Sequence, residues 1–170
     1  MNIKKYDILN KNRSRFYIFS LIITGLLLSG CWQSDTGKKD SKLMVINVLD
    51  KSYFEDCHIT GSISITFEEL ETRMSKMDKS KDYVLYCSNY ACMAAPTSVK
   101  MMQNIGFKDV AVYPGGIVEW YQKKYPYQGP ATMEYLKDEN EPLGEDDDVD
   151  VPTVSAEALL EKMKKADLLS

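Results

Sequence analysis

Two cysteines five positions apart are the residues of this sequence best suited to chemistry. Cys87 and Cys92 stand in the stretch YCSNYAC, directly after an apolar run. Such a pair could bind a metal, form a disulfide or supply a nucleophilic thiolate. The chain has one histidine and no second closely spaced cysteine pair, so we expect no metal site. Disulfide, nucleophile and plain packing all stay open from the spacing alone.

Three short apolar runs predict the strands that would position this pair. They have the composition of strands buried on both faces, and they are LMVINV at 43–48, YVLYC at 83–87 and VAVY at 110–113. Cys87 is the last residue of the second run. In a parallel sheet, reactive groups lie beyond the carboxyl ends of the strands, which is where this sulfur falls.

Helical patterns separate the three strands. Thr66 and Glu69 form a capping box before one helix, and Gly106 is a left-handed stop for a second helix that begins near Cys92. A third pattern, GIVEWYQKK, begins at the second of two glycines. This alternation predicts an α/β fold of three layers, with a central parallel sheet flanked by helices. The amides that open the second helix would favour an anion on the Cys87 sulfur.

The first thirty residues predict an export signal. A basic stretch over residues 1–15 precedes the uncharged run FYIFSLIITGLLLSG, which is shorter than the roughly 20 residues of a membrane-spanning helix. The block LLSGC resembles the lipobox of bacterial lipoproteins. This resemblance implies a signal peptide over residues 1–30 and acyl chains such as palmitate on Cys31, which would anchor the exported protein to a membrane of the bacterial cell envelope. An uncleaved signal anchor is the alternative.

Charge is unevenly distributed along the exported part. Residues 31–125 carry 12 basic and 12 acidic side chains, whereas 126–170 carry 4 basic and 12 acidic. No basic stripe remains outside the signal, so we expect no nucleic-acid binding. We predict a polar tether over 31–42, an acidic flexible segment over 127–152 and an amphipathic helix over 153–170. The helix would dock on the domain or bind a partner, and the acidic tail offers another surface for a protein partner.

Three stretches, in order, resemble the rhodanese family. INVLDKSYFEDCHITGSISI at 46–65 is similar to its opening signature, YVLYCSNYACMAA to its active-site strand and loop, and IGFKDVAVYPGGIVEWYQKKYP at 105–126 to its closing signature. The resemblance implies a rhodanese-like domain over residues 43–126. It also implies that Cys87 accepts sulfur from a small donor such as thiosulfate and passes it, as a persulfide, to a thiol or cyanide acceptor. No cofactor is implied.

The loop after Cys87 departs from the family pattern. Many active members have a glycine three positions after the cysteine and an arginine five after, where this sequence has Tyr90 and Cys92. Without that arginine an anionic donor loses its natural partner. Cys92 could close a disulfide with Cys87 or only pack beneath the first helical turn. The candidate substrate-binding residues of this CxxxxC loop are Ser88, Asn89, Tyr90, Ala91 and Met93.

Three functions are open at this point. The chain could be a membrane-tethered sulfurtransferase with its persulfide on Cys87, an envelope redox protein using a Cys87–Cys92 disulfide, or a catalytically silent rhodanese-like module that binds a partner. For other residues that might be taken as functional, we expect structural roles. Cys57 is expected to be a packed thiol, His58 a hydrogen-bonded scaffold residue, and Trp120 part of the core.

Overall fold

The computed structural model describes residues 42–141 and 150–169. The predicted signal, the candidate lipid anchor Cys31 and nearly all of the predicted tether lie outside the described residues, as do residues 142–149 of the acidic segment. Within the described ranges, no helix is long and apolar enough to cross a membrane.

Four parallel strands form the central sheet, in the order β3-β1-β4-β5. In register, Val45 of the first strand lies opposite Val84, which in turn lies opposite Ala111. A separate antiparallel pair joins β2 to β6. The strand bounds are β1 Leu43–Asn47, β2 His58–Ile59, β3 Ile63–Ser64, β4 Asp82–Tyr86, β5 Val110–Tyr113 and β6 Tyr127–Gln128.

In the part of the chain that the structure describes, five helices and two 3₁₀ turns accompany these strands. The 3₁₀ turns cover Met74–Lys76 and Glu134–Lys137. The helix bounds are α1 Lys51–Asp56, α2 Phe67–Arg73, α3 Ala94–Asn104, α4 Gly116–Gln122 and α5 Ala156–Lys165.

The sheet is covered on both faces, because side chains alternate along each strand. Val84 and Tyr86 of β4 join one apolar cluster together with residues of α4 and α5. Tyr83 and Leu85 join a second cluster, which also contains Cys87 and residues of α2 and α3. The predicted three-layer α/β architecture, with a central parallel sheet flanked by helices, is therefore confirmed.

The segment from residue 127 to 141 differs from the flexible connection predicted there. Tyr127 and Gln128 pair with β2, and Leu136 is buried in the core. The Asp56 carboxylate accepts hydrogen bonds from the hydroxyl and amide of Thr132, at 2.7 and 2.9 Å, and from the amide of Met133. Burial acts to raise the pKa of Asp56, but these hydrogen bonds hold it below its ordinary value. A buried acid distant in sequence thus orders a stretch whose composition suggested a linker.

Helix α5 packs on the sheet face opposite Cys87. The Ser155 side chain caps it by accepting a hydrogen bond from the Ala158 amide, and Leu159 and Met163 are fully buried in the cluster that contains α4. Just before the helix, Thr153 forms a parallel bridge with Val112 of β5. This is the docked arrangement, one of the two alternatives considered from the sequence.

Candidate thiol site

A strand-to-helix corner presents the two cysteines. β4 ends at Tyr86, Cys87 follows it at once, and α3 begins at Ala94. Two amides of α4 stabilise the corner. The Ile117 amide donates to the Cys87 carbonyl at 3.0 Å, and the Val118 amide donates to the Ser88 carbonyl at 2.9 Å. The start of α4 therefore fixes the backbone at the end of β4.

Gly116 makes this close approach possible. Its φ is +61°, and a Cβ added there would lie 2.6 Å from the Cys87 carbonyl oxygen and closer still to the backbone of Ser88. Any other residue would combine an unfavourable backbone conformation with a clash against the loop. The glycine pair that begins the third predicted helix is thus part of the site's support.

The two cysteines are in direct contact. The Cys87 thiol lies 3.1 Å from the Cys92 carbonyl oxygen and donates to it, and each thiol shifts the pKa of the other. Both cysteines are free. Cys87 is only 1% exposed, whereas Cys92 is partly exposed. The pair is therefore a reduced dithiol with one inner and one outer member.

The two thiols have opposite pKa shifts. For Cys92, the hydrogen bond from Cys87 lowers the thiol pKa, and the amides of Ala94 and Ser88 and the Ser88 hydroxyl add to this against burial, so that the pKa is about 5. For Cys87, the hydrogen bond with Cys92 and burial raise the pKa far above its ordinary value, although the amides of Ala95 and Ser88 act against them. The proton thus stays on the inner sulfur, and the outer sulfur carries the charge.

Of the predicted substrate-binding residues, Ser88 contacts the sulfurs and the others are placed elsewhere. The amide of Tyr90 donates to the Asn140 side chain at 3.2 Å, not to a sulfur, and its hydroxyl donates to Glu119. Asn89 lines a cleft described below, and Ala91 and Met93 are exposed. The amides that act on the two sulfurs therefore come from Ser88 and the start of α3.

Asn140 is a site residue that no sequence pattern predicted. Its Nδ2 donates to the Gly115 carbonyl at 2.9 Å, while its Oδ1 accepts from Tyr90. One side chain therefore ties the cysteine loop to the turn before α4. It comes from the predicted flexible segment, fifty positions beyond Tyr90, where an isolated asparagine has no distinguishing pattern.

A cleft of about 420 Å³ adjoins the loop. Asp50 is the charged residue among the described residues that line it, and none of these is a cation. Much of the remaining wall is aromatic or aliphatic. The lining residues are Val48, Leu49, Asp50, Tyr53, Phe67, Ser88, Asn89, Ala94 and Tyr135.

The other singled-out residues are structural. Cys57 is fully buried, and burial followed by the charge of Asp56 raises its pKa to about 12. The His58 ring stacks on Phe54 and its Nδ1 lies 2.7 Å from the Phe54 carbonyl oxygen. Trp120 is buried and donates to the Pro126 carbonyl. Among the described residues, no group of three or more potential ligands could hold a metal ion.

The family model for the rhodanese-like domain matches residues 33–123. This chain belongs to the rhodanese-like domain family. The match includes all four strands of the central sheet and the cysteine loop. It ends before β6 and α5, so the docked C-terminal helix lies beyond the part that the family model describes.

Relatives of this rhodanese-like chain differ in size and naming. An HTH-type transcriptional regulator of Mycobacterium tuberculosis is 26% identical over 83 residues, which is 49% of this chain but only 36% of the regulator. A solved Bacillus halodurans protein is 27% identical with a TM-score of 0.48, covering 53% of this chain and 66% of that one. A solved rhodanese-like domain from Anabaena is 26% identical with a TM-score of 0.47, covering 51% of this chain and 98% of that domain.

Proposed function

We propose that this protein is a sulfurtransferase in which Cys87 carries sulfur as a persulfide. The observation that carries the proposal is the position of Cys87 at the strand-to-helix corner, where the amides of Ser88 and Ala95 act to lower its pKa against burial and Cys92. Amides at such a corner stabilise negative charge that develops on the sulfur as it accepts or passes on sulfur. Membership of the rhodanese-like family supports the same assignment.

The cleft favours a thiol-bound sulfur donor over thiosulfate. A dianion entering it would meet the Asp50 carboxylate and no cation among the described lining residues, and Cys92 stands where many family members have arginine. Repulsion without compensation weakens binding of an anion. The organic part of a persulfide donor could instead pack on Tyr53, Phe67 and Tyr135.

Sulfur reaches Cys87 through a movement of the loop. The residue is 1% exposed, so a donor cannot contact its sulfur while the loop is closed. Ser88, next to Cys87, and Ala94, at the start of α3, both line the cleft, so a donor bound there lies beside the cysteine loop. Loop opening of this kind is common in enzymes that exclude water from a reactive group.

The same proposal places the protein on a membrane of the cell envelope. Its support is the N-terminal sequence alone, with the lipobox-like LLSGC block and Cys31 as the acylated residue. A single acyl chain binds membranes only weakly, so stable anchoring requires the several chains that the lipoprotein resemblance implies.

The test uses the full chain with Cys92→Ser, which leaves Cys87 without a neighbouring thiol. After incubation with cysteine persulfide and removal of the excess, we expect a gain of about 32 Da that peptide mapping locates on Cys87, and its loss when cyanide or a thiol is added. Thiosulfate should load the chain more slowly than cysteine persulfide. The Cys87→Ser/Cys92→Ser chain is the control and should gain nothing. A Cys92→Ser chain that takes up no sulfur from either donor would show the proposal to be wrong.

The contact between the two thiols favours a second candidate, a dithiol redox protein. In that case the pair should oxidise to a disulfide with glutathione disulfide and transfer those oxidising equivalents to a client thiol. Loss of cellular function would then follow from substitution of either cysteine, whereas a pure sulfur carrier needs only Cys87.

A further inference from the structure

The contact between Cys87 and Cys92 has a chemical consequence for any sulfur bound at this site. The Cys87 sulfur lies 3.1 Å from the Cys92 carbonyl oxygen, and each thiol shifts the pKa of the other. A persulfide on Cys87 would therefore form beside a second thiol, in the same loop and without any change in the fold. Thiol and persulfide in contact react by exchange.

Cys92 has the surroundings of an attacking group. Cys87 is the largest cause that lowers the pKa of Cys92, and Ala94 and Ser88 add to it, so that the pKa is about 5. Cys92 is also the more exposed of the two residues. A lowered pKa favours the thiolate, which is the nucleophilic form of cysteine.

Two outcomes of an attack by Cys92 are possible, and burial distinguishes them. Attack on the outer sulfur of the persulfide would expel Cys87 as a thiolate, which is unfavourable because the residue is almost fully buried and its pKa is raised. Attack on the inner sulfur expels hydrosulfide, a small anion that water solvates. Exchange is faster when the leaving group is the more stable anion.

We propose that Cys92 discharges the Cys87 persulfide as hydrogen sulfide, so that this site reduces sulfane sulfur. The inference rests on the proposed function, because it needs a persulfide on Cys87. A bond forms between the two cysteine sulfurs, the bond between the Cys87 sulfur and the sulfane sulfur breaks, and the leaving hydrosulfide takes a proton from water.

The electrons balance within the site. The sulfane sulfur gains two electrons and becomes sulfide, while the two cysteines lose two and become a disulfide. Over one turnover, an organic persulfide and the reduced pair give a thiol, hydrogen sulfide and the Cys87–Cys92 disulfide. A further turnover requires a thiol or dithiol reductant to open that disulfide.

The test is a single turnover of the reduced full chain with cysteine persulfide in the absence of other reductant. We expect roughly one sulfide per chain and a product about 2 Da lighter, with the disulfide mapped to Cys87 and Cys92. Cys92→Ser should keep the added sulfur and release sulfide at least about tenfold more slowly. Cys92→Ala provides the same measurement if the serine variant folds poorly.

Controls separate this inference from the function on which it rests. Cys57→Ala should release sulfide as the unaltered chain does, because Cys57 lies in the core away from the loop. If Cys92→Ser holds the persulfide but the unaltered chain holds it equally long and forms no disulfide, the discharge step is wrong while sulfur transfer stands. Equal rates of sulfide release from Cys92→Ser and from the unaltered chain would also show that Cys92 does not carry out the discharge step. If neither chain takes up sulfur, both proposals fall.

Discussion

The two cysteines of the loop have the same chemistry in isolation and opposite acidities here. Cys87 lies inside the apolar cluster of the α3 face and keeps the proton, whereas Cys92 lies nearer the solvent and receives donors from Ser88 and Ala94. The sequence predicted a reactive Cys87 at this corner and left open whether Cys92 takes part. It could not predict which sulfur carries the charge, because that depends on a difference in burial between residues five positions apart.

The acidity of Cys92 predicts an unusual pH profile for alkylation. Since its pKa is lowered from 9.0 to about 5, the thiolate is present above that pH, and the rate of reaction with iodoacetamide should fall only as the pH drops through about 5. Cys87→Ala removes the donor that is the largest cause of the shift, so the midpoint should move upward. Rates at each pH can be followed by peptide mapping, with buried Cys57 as the internal unreactive thiol. A midpoint near 9 in the unaltered chain would contradict the assignment.

At the scale of elements, apolar runs predicted the strands, and helical spacing with capping residues predicted the helices. The three predicted strands and the helices α2, α3 and α4 were all found within a few residues of their expected bounds. Helix α1 was not predicted, because its six residues, KSYFED, are too few to show an apolar period. Asn140 was also missed, since its partners Tyr90 and Gly115 come close only when the sheet has formed.

The turn before α4 supports the loop, and Gly116→Ala tests this. An alanine there has an unfavourable φ of +61° and collides with the carbonyl groups of Cys87 and Ser88. We expect the free energy of unfolding to fall by about 3 kcal/mol, and the alkylation rate of Cys92 to change because the corner is displaced. Urea denaturation measures the free energy of unfolding, and peptide mapping measures the alkylation rate of Cys92.

Gly106→Ala is the matched control. It has a φ of +96°, and an added Cβ would meet nothing closer than the Lys79 Nζ at 3.8 Å. The backbone cost alone, about 1 kcal/mol, should remain, with Cys92 alkylation unchanged. Equal losses from the two substitutions would show that Gly116 is needed only for its backbone conformation.

For the whole molecule, the C-terminal helix determines how the sheet is covered. The amphipathic pattern of α5 predicted a buried face but left open whether this domain or a partner buries it, since periodicity does not reveal what a helix packs against. The structure places Leu159 and Met163 against α4 and β4 residues in one core cluster. Its ion pairs, Lys162 with Asp82 and Lys123 with Glu157, are partly exposed and add little stability.

Truncating one buried leucine of α5 should therefore destabilise the whole domain. Leu159→Ala removes a fully buried side chain and should lower the free energy of unfolding by about 3 kcal/mol. Leu160→Ala, next along the same helix but only partly buried, should cost about 1 kcal/mol. Urea denaturation of the two variants checks the difference. If the two losses are equal, α5 does not contribute its buried face to the core.

Helix α5 is the last helix among the described residues, yet it covers part of the core that earlier strands form. Val45, Val84 and Tyr113 of the sheet share one apolar cluster with Leu159 and Met163 of α5. A chain that ends before residue 156 lacks this cover and exposes apolar surface, which favours aggregation.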